Sequence, residues 1–132
     1  MKRTLIILAM IAGVLAFTGK GYAQEEKDNW PELTAFHKVM AQTFHPSEEG
    51  NLAPIKERSG EMLKKAEVLL KSKIPAENNN KKVITALKNL KKGCKKVDKL
   101  VKSKASDQDI TKSLSELHDL FHTVAGACTH EE

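Results

Sequence analysis

The sequence predicts an all-α protein, an up-down-up-down antiparallel four-helix bundle behind a cleaved signal peptide. Three observations predict it. Four segments carry apolar residues at alternating spacings of three and four, which places them on one face of a helix. The connections between these segments are short and rich in Pro, Gly, Ser and Asn. No segment alternates apolar and polar residues as a half-buried strand would.

The chain opens MKRTLIILAMIAGVLAFTGKGYAQ, with a basic start at Lys2 and Arg3, an apolar run from Leu5 to Phe17 and a small-residue exit at Gly21-Tyr22-Ala23. These are the three parts of a secretory signal, and cleavage is expected after Ala23. The run is shorter than the roughly 20 apolar residues of a membrane span, so no transmembrane anchor is expected in the mature form. No cysteine follows the run to offer a lipid-anchor site. Residues 1–23 are thus a signal peptide and residues 24–132 one small exported domain, periplasmic or secreted, with a single modest core.

In Asn29-Trp30-Pro31-Glu32 a cap, a proline in the first turn and an acid at the third helical position start the first helix. It is expected to run to about His45, where Pro46 stops it, with Leu33, Phe36, Met40 and Phe44 on one face. Asn51 is placed to cap the second helix, which tolerates Pro54 in its first turn and carries Ile55, Ser59, Met62, Ala66, Leu69 and Leu70 to about Ser72. Val83, Leu87, Leu90, Cys94, Val97 and Val101 mark the third helix with the a/d spacing of a bundle. Gly93 costs that helix about 1 kcal/mol relative to alanine and signals a close approach by a neighbour. Ser106-Asp107-Gln108-Asp109 resembles a capping box, after which Ile110, Leu114, Leu117, Phe121, Val124 and Cys128 repeat the bundle spacing.

Loss of Lys2, Arg3 and Lys20 with the signal takes the formal charge from +5 to +2, so the basic character belongs partly to the precursor. The remaining charge is unevenly spread. Ten lysines stand between Lys81 and Lys104 against one acid, Asp98, while the flanking segments are more acidic. A solvated basic helix accounts for that pattern, and docking to an acidic protein or an anionic surface through Lys91, Lys92, Lys95 and Lys96 is the functional alternative. Nucleic acid is not an expected partner, because the lysines lack interleaved aromatics or arginines. Oligomeric state has no signal in the sequence.

Folding the chain about turn centres near residues 48, 76 and 105 brings His37, Met40, Cys94 and His118 into one slice of the bundle. At 100° per residue, His37, His118 and His122 lie about 55, 80 and 120° from the centres of their stripes. They are edge residues, suited to a groove between the first and last helices. His118 and His122 stand at i and i+4, about 6 Å apart along the axis, a spacing that lets both imidazoles reach one ion. Imidazole is a preferred ligand of Cu, Zn and Ni, and His37 from the facing helix would supply a third. Cys94 is a soft-ligand candidate as well as a small core residue, and Met40 a weaker candidate or core filler. His45, Glu48 and Glu49 can hold a surface ion or be solvated turn residues. Cys94 and Cys128 differ in height by roughly 18 Å, too far for a bridge, which leaves Cys128 able to pair between chains.

The segments FHKVMAQTFHPSEEGNLAPIKERSGEM and LHDLFHTVAGACTHEE, with the helix order and the signal peptide, resemble the four-helix cytochrome superfamily, cytochrome c-prime and the b-type haem bundle. The covalent haem motif Cys-x-x-Cys-His is replaced here by Ala125-Gly126-Ala127-Cys128-Thr129-His130, so covalent haem is not expected. The resemblance implies a non-covalent b-type haem held by Met40 or His37 with His118 or His122. A transition metal ion between first and last helices, in a carrier, buffer or sensor, is the leading expectation, with b-type haem second. An enzyme is not expected: no Gly-rich phosphate loop, Ser-His-Asp set or pair of inward carboxylates can be assembled.

Overall fold

A computed structural model describes residues 29–128. The expected signal peptide at 1–23 and the tail residue His130 lie outside the described residues. The described chain forms four helices, α1 (Pro31–Glu48), α2 (Ala53–Lys71), α3 (Lys81–Lys102) and α4 (Asp107–Cys128), with a short 3₁₀ turn at Ala76–Asn78 before α3. Among the described residues there is no strand. Both α1 and α3 pack against α2 and α4. No described helix is long and apolar enough to cross a membrane.

Each helix boundary has a local cause. Pro31 takes the first position of α1, where its missing N–H is no loss. Trp30, rather than Asn29, is the residue before it. Trp30 is buried, and its Nε1 donates to Ser72 Oγ at 2.8 Å, tying the start of α1 to the end of α2. The Asn29 amide donates to Glu77 instead of capping the helix. At α2, the Asn51 Oδ1 accepts the Ala53 N–H at 3.1 Å, and at α4 Ser106 Oγ accepts the Asp109 N–H at 3.1 Å. Asn80 caps α3 by accepting from Val83 N–H at 3.0 Å.

α1 continues three residues past His45, through the expected stop at Pro46 to Glu48. Proline lacks a donor and its ring crowds the carbonyl four residues back, but its fixed φ suits a helix and near a C-terminus its own carbonyl still accepts. The Asn51 N–H bonds to Pro46 O at 2.9 Å and the Gly50 N–H to Ser47 O at 3.0 Å, with Gly50 at φ +83°. This is a Schellman closure, for which Gly50 provides the left-handed residue at no steric cost. α3 ends the same way, with Ala105 N–H to Leu100 O at 3.0 Å and Lys104 N–H to Val101 O at 3.1 Å, but there Lys104 holds the left-handed position at φ 55°.

The stripes meet in one core, in which Phe36, Met40, Ile55, Met62, Leu87, Leu90 and Leu114 are fully buried. Each such side chain contributes about 1.5–3 kcal/mol over its exposed state. The polar member of the α2 stripe, Ser59, is also buried, and its hydroxyl donates to Asp98 Oδ1 at 2.9 Å while Lys102 Nζ reaches Asp98 Oδ2 at 2.6 Å. The one acid among the α3 lysines is thus a satisfied buried carboxylate and not a break in a solvated face.

Gly93 is where α3 and α4 come closest. A Cβ built there would lie 2.9 Å from the Cδ1 atoms of both Leu117 and Leu120. We expect Gly93→Val to destabilise the fold by about 1–3 kcal/mol despite valine's better helix propensity, because both leucines must shift against a packed interface. Trp30→Ala is expected to cost about 3–5 kcal/mol. Urea denaturation followed by circular dichroism checks both; an unchanged midpoint for either variant contradicts the packing described.

Candidate functional site

The seam between α1 and α4 is built from rings. α1 contributes Phe36, His37, Phe44 and His45; α4 contributes His118, Phe121 and His122. Helical spacing produces this: His118, Phe121 and His122 stand at i, i+3 and i+4, so all three project from the same side of α4. Phe121 is buried and stacks on Phe36 with centroids 5.8 Å apart. His37, exposed to solvent, lies over the same Phe121 ring at 4.8 Å. Further along the seam, Phe44 and His118 stack almost face to face, at 3.8 Å and 9°. His118 then meets His122 edge to face at 4.4 Å.

A second pair closes the solvent end. His45 Nδ1 lies 3.1 Å from Glu48 Oε2, one turn apart on α1. His118 senses both of these residues electrostatically. Its pKa is lowered from the ordinary imidazole value, first by burial and then by His122, with His45 adding in the same direction; Asp119 and Glu48 pull the other way. Desolvation wins, so His118 favours the neutral imidazole, the form that offers a lone pair to a metal.

The sequence-derived site residues are distributed as follows. His118 and His122 are in ring contact, and His122 and His37 each meet Phe121, at 6.1 and 4.8 Å. No ring contact joins His37 to either α4 imidazole among the described residues. Cys94 and Met40, placed in the same slice by chain folding, are each 1% exposed in the core. Burial pushes the Cys94 thiol up to about 12, which opposes the thiolate a soft metal needs. Both Cys94 and Cys128 are free thiols. Among the described residues, no three His, Cys, Asp or Glu side chains converge as drawn on a common metal position.

The sequence allows His45 and Glu48 as surface-ion ligands or solvated turn residues, and both side chains are exposed. Because α1 runs through Pro46, they stand on one helical face beside His118. The signal was present in Gly50 and Asn51, whose positions after the proline fit a Schellman closure.

Of the four lysines singled out in α3, Lys91, Lys92 and Lys95 line a groove beside Leu70, together with Lys88. Lys96 points the other way, to Glu116 Oε2 on α4 at 3.0 Å. No family model, curated protein or solved structure shows a significant match to the chain.

The depressed His118 pKa sets a pH dependence. The unfolded chain binds a proton at His118 more readily than the folded chain does, so folding stability is complete above about pH 6.5, the ordinary imidazole value, and is lost as pH falls below it. We expect the thermal midpoint of the native chain to drop more between pH 7.5 and 5 than that of His118→Phe, which keeps a ring on Phe44. Parallel drops in the two proteins would show that His118 does not carry the effect.

Proposed function

We propose that the protein is an exported up-down-up-down bundle that binds a transition metal ion, of the copper, zinc or nickel type, at the α1–α4 seam, as a carrier, buffer or sensor and not as a catalyst. The observation that supports this best is the contact between the rings of His118 and His122 at i and i+4, held in a partly desolvated place that favours neutral imidazole. His45 is the imidazole of α1 that acts electrostatically on His118, which makes it the candidate third ligand across the seam; Glu48 beside it can supply an oxygen.

Binding asks for small ring rotations. His118 would leave its stack on Phe44, at a cost of about 0.5–1.5 kcal/mol, which coordination to two or three imidazoles readily offsets. His37 stays on Phe121 and acts as a wall of the seam in this arrangement. A b-type haem fits less well. Met40 is buried, and Phe36, Leu114 and Leu117 fill the interior beside it, so a porphyrin between the helices would have to displace the core itself.

The test is calorimetric titration of the mature chain with Cu²⁺, Zn²⁺ and Ni²⁺. The native protein is expected to take up one equivalent of at least one ion, and His118→Ala with His122→Ala to lose at least about tenfold in affinity. His45→Ala should weaken binding and His37→Ala should not. Equal uptake by the native chain and the His118/His122 double variant would overturn the reading.

A further inference from the structure

On the opposite side of the molecule from the ring seam, two adjoining hollows between α2 and α3 share Lys95 and together make a trough. Its floor is apolar, with Leu70 in one hollow and Leu63 in the other, both half-buried against the core; the Leu63 hollow also holds Asp98, whose carboxylate is taken up by Lys102 and Ser59. Lys88, Lys91, Lys92 and Lys95 rim the Leu70 end, and Lys95 continues into the Leu63 end, where Lys99 follows. Among the described residues, Lys88, Lys91, Lys92, Lys95 and Lys99 have no carboxylate partner, whereas Lys96 and Lys102 pair with Glu116 and Asp98. Within the described bundle this leaves a rail of five ammonium groups along an apolar groove.

We propose that this trough docks an acidic amphipathic helix of a partner protein, independently of any metal at the ring seam. The two leucines of the floor are seven residues apart, two helical turns or about 10.5 Å, so a partner helix lying in the trough meets them with apolar residues of the same spacing. The rail at 88, 91/92, 95 and 99 recurs every three or four residues, which matches carboxylates spaced at i, i+4 and i+7 on the flank of that helix. Shape distinguishes this occupant from an anionic membrane. A planar surface touches the crest of a helix and leaves a trough between two helices unfilled, and Val68 on α2, the one large exposed hydrophobic side chain among the described residues, is not part of the trough's lining.

Fluorescence anisotropy tests it with two labelled synthetic peptides of identical composition. One carries leucines seven residues apart on one helical face flanked by glutamates, and the other has the same residues scrambled. Vesicles of phosphatidylglycerol form a separate arm. The native chain is expected to bind the patterned peptide at least about tenfold more tightly than the scrambled one, more weakly as salt is raised, and more tightly than the vesicles. The variant carrying Lys88→Glu, Lys91→Glu, Lys92→Glu and Lys95→Glu should lose at least about tenfold, while the four corresponding Lys→Arg changes retain binding. No binding of the patterned peptide at low ionic strength, equal binding of both peptides, preference for vesicles, or full binding by the Lys→Glu variant each overturns the proposal. Circular dichroism shows whether the Lys→Glu variant is folded, and the comparison of the two peptides on the native chain decides in its own right if it is not.

Discussion

The α1–α4 seam is closed by flat rings, whereas α3 meets α4 through glycine. Gly93 removes the side chain that would hold those two helices apart, so Leu117 and Leu120 reach the α3 backbone. α1 has no such residue facing α4. Its side of the seam presents Phe36, His37 and Phe44, and stacked rings span the wider gap where interdigitated aliphatics would leave voids. That asymmetry is why the histidines collect where they do. An imidazole stacks as an aromatic on its faces and keeps two nitrogens at its edge, so it can both close a seam and remain available to a ligand.

The helices and the core were legible in the sequence because periodic burial is a local signal repeated many times. Phe36, Met62, Leu87 and Leu114 were placed inward by spacing alone, and each is fully buried. Gly93 was equally legible, since a glycine in the middle of a lysine-rich helix loses stability unless a neighbour needs the room. What escaped were features that depend on a single non-local bond or on a competition between local rules. Trp30 looked like a residue near a cap, and in the fold it joins the core cluster and bonds to Ser72, 42 positions away. Pro46 carried two contradictory signals, a missing donor that ends helices and a helical φ that extends them, and the glycine four residues later decided between them.

The candidate site was legible in part for the same reason. The pairing of His118 with His122 is set by helix geometry within one element, and the rings do touch. The contribution from α1 depends on the register between two helices, where one turn of error exchanges one histidine for another. Folding about turn centres put His37 level with Leu117; the ring that meets His37 belongs to Phe121, a turn further along. The same shift carries Phe44 onto His118 and brings His45 and Glu48 within its electrostatic reach. Cys94 and Met40 were placed in the slice by height, but height does not distinguish the axis of the bundle from its edge. Their central positions on the stripes send them into the core, where a thiol behaves as a small apolar group.

A metal ion bound as proposed would compete with protons for the same lone pairs in this seam, and that ties the fold to the proposed chemistry. Burial and the neighbouring His122 hold His118 neutral, which preserves its stack on Phe44 and also leaves it ready to coordinate. Acidification charges a ring on which two other imidazoles act, so it weakens the seam and would oppose the proposed cation at the same time. Glu48 and Asp119 temper that effect, since each favours the charged ring. The seam is therefore poised by opposing carboxylate and imidazole influences on His118, and the balance that governs its response to pH is the one the proposed cation would meet.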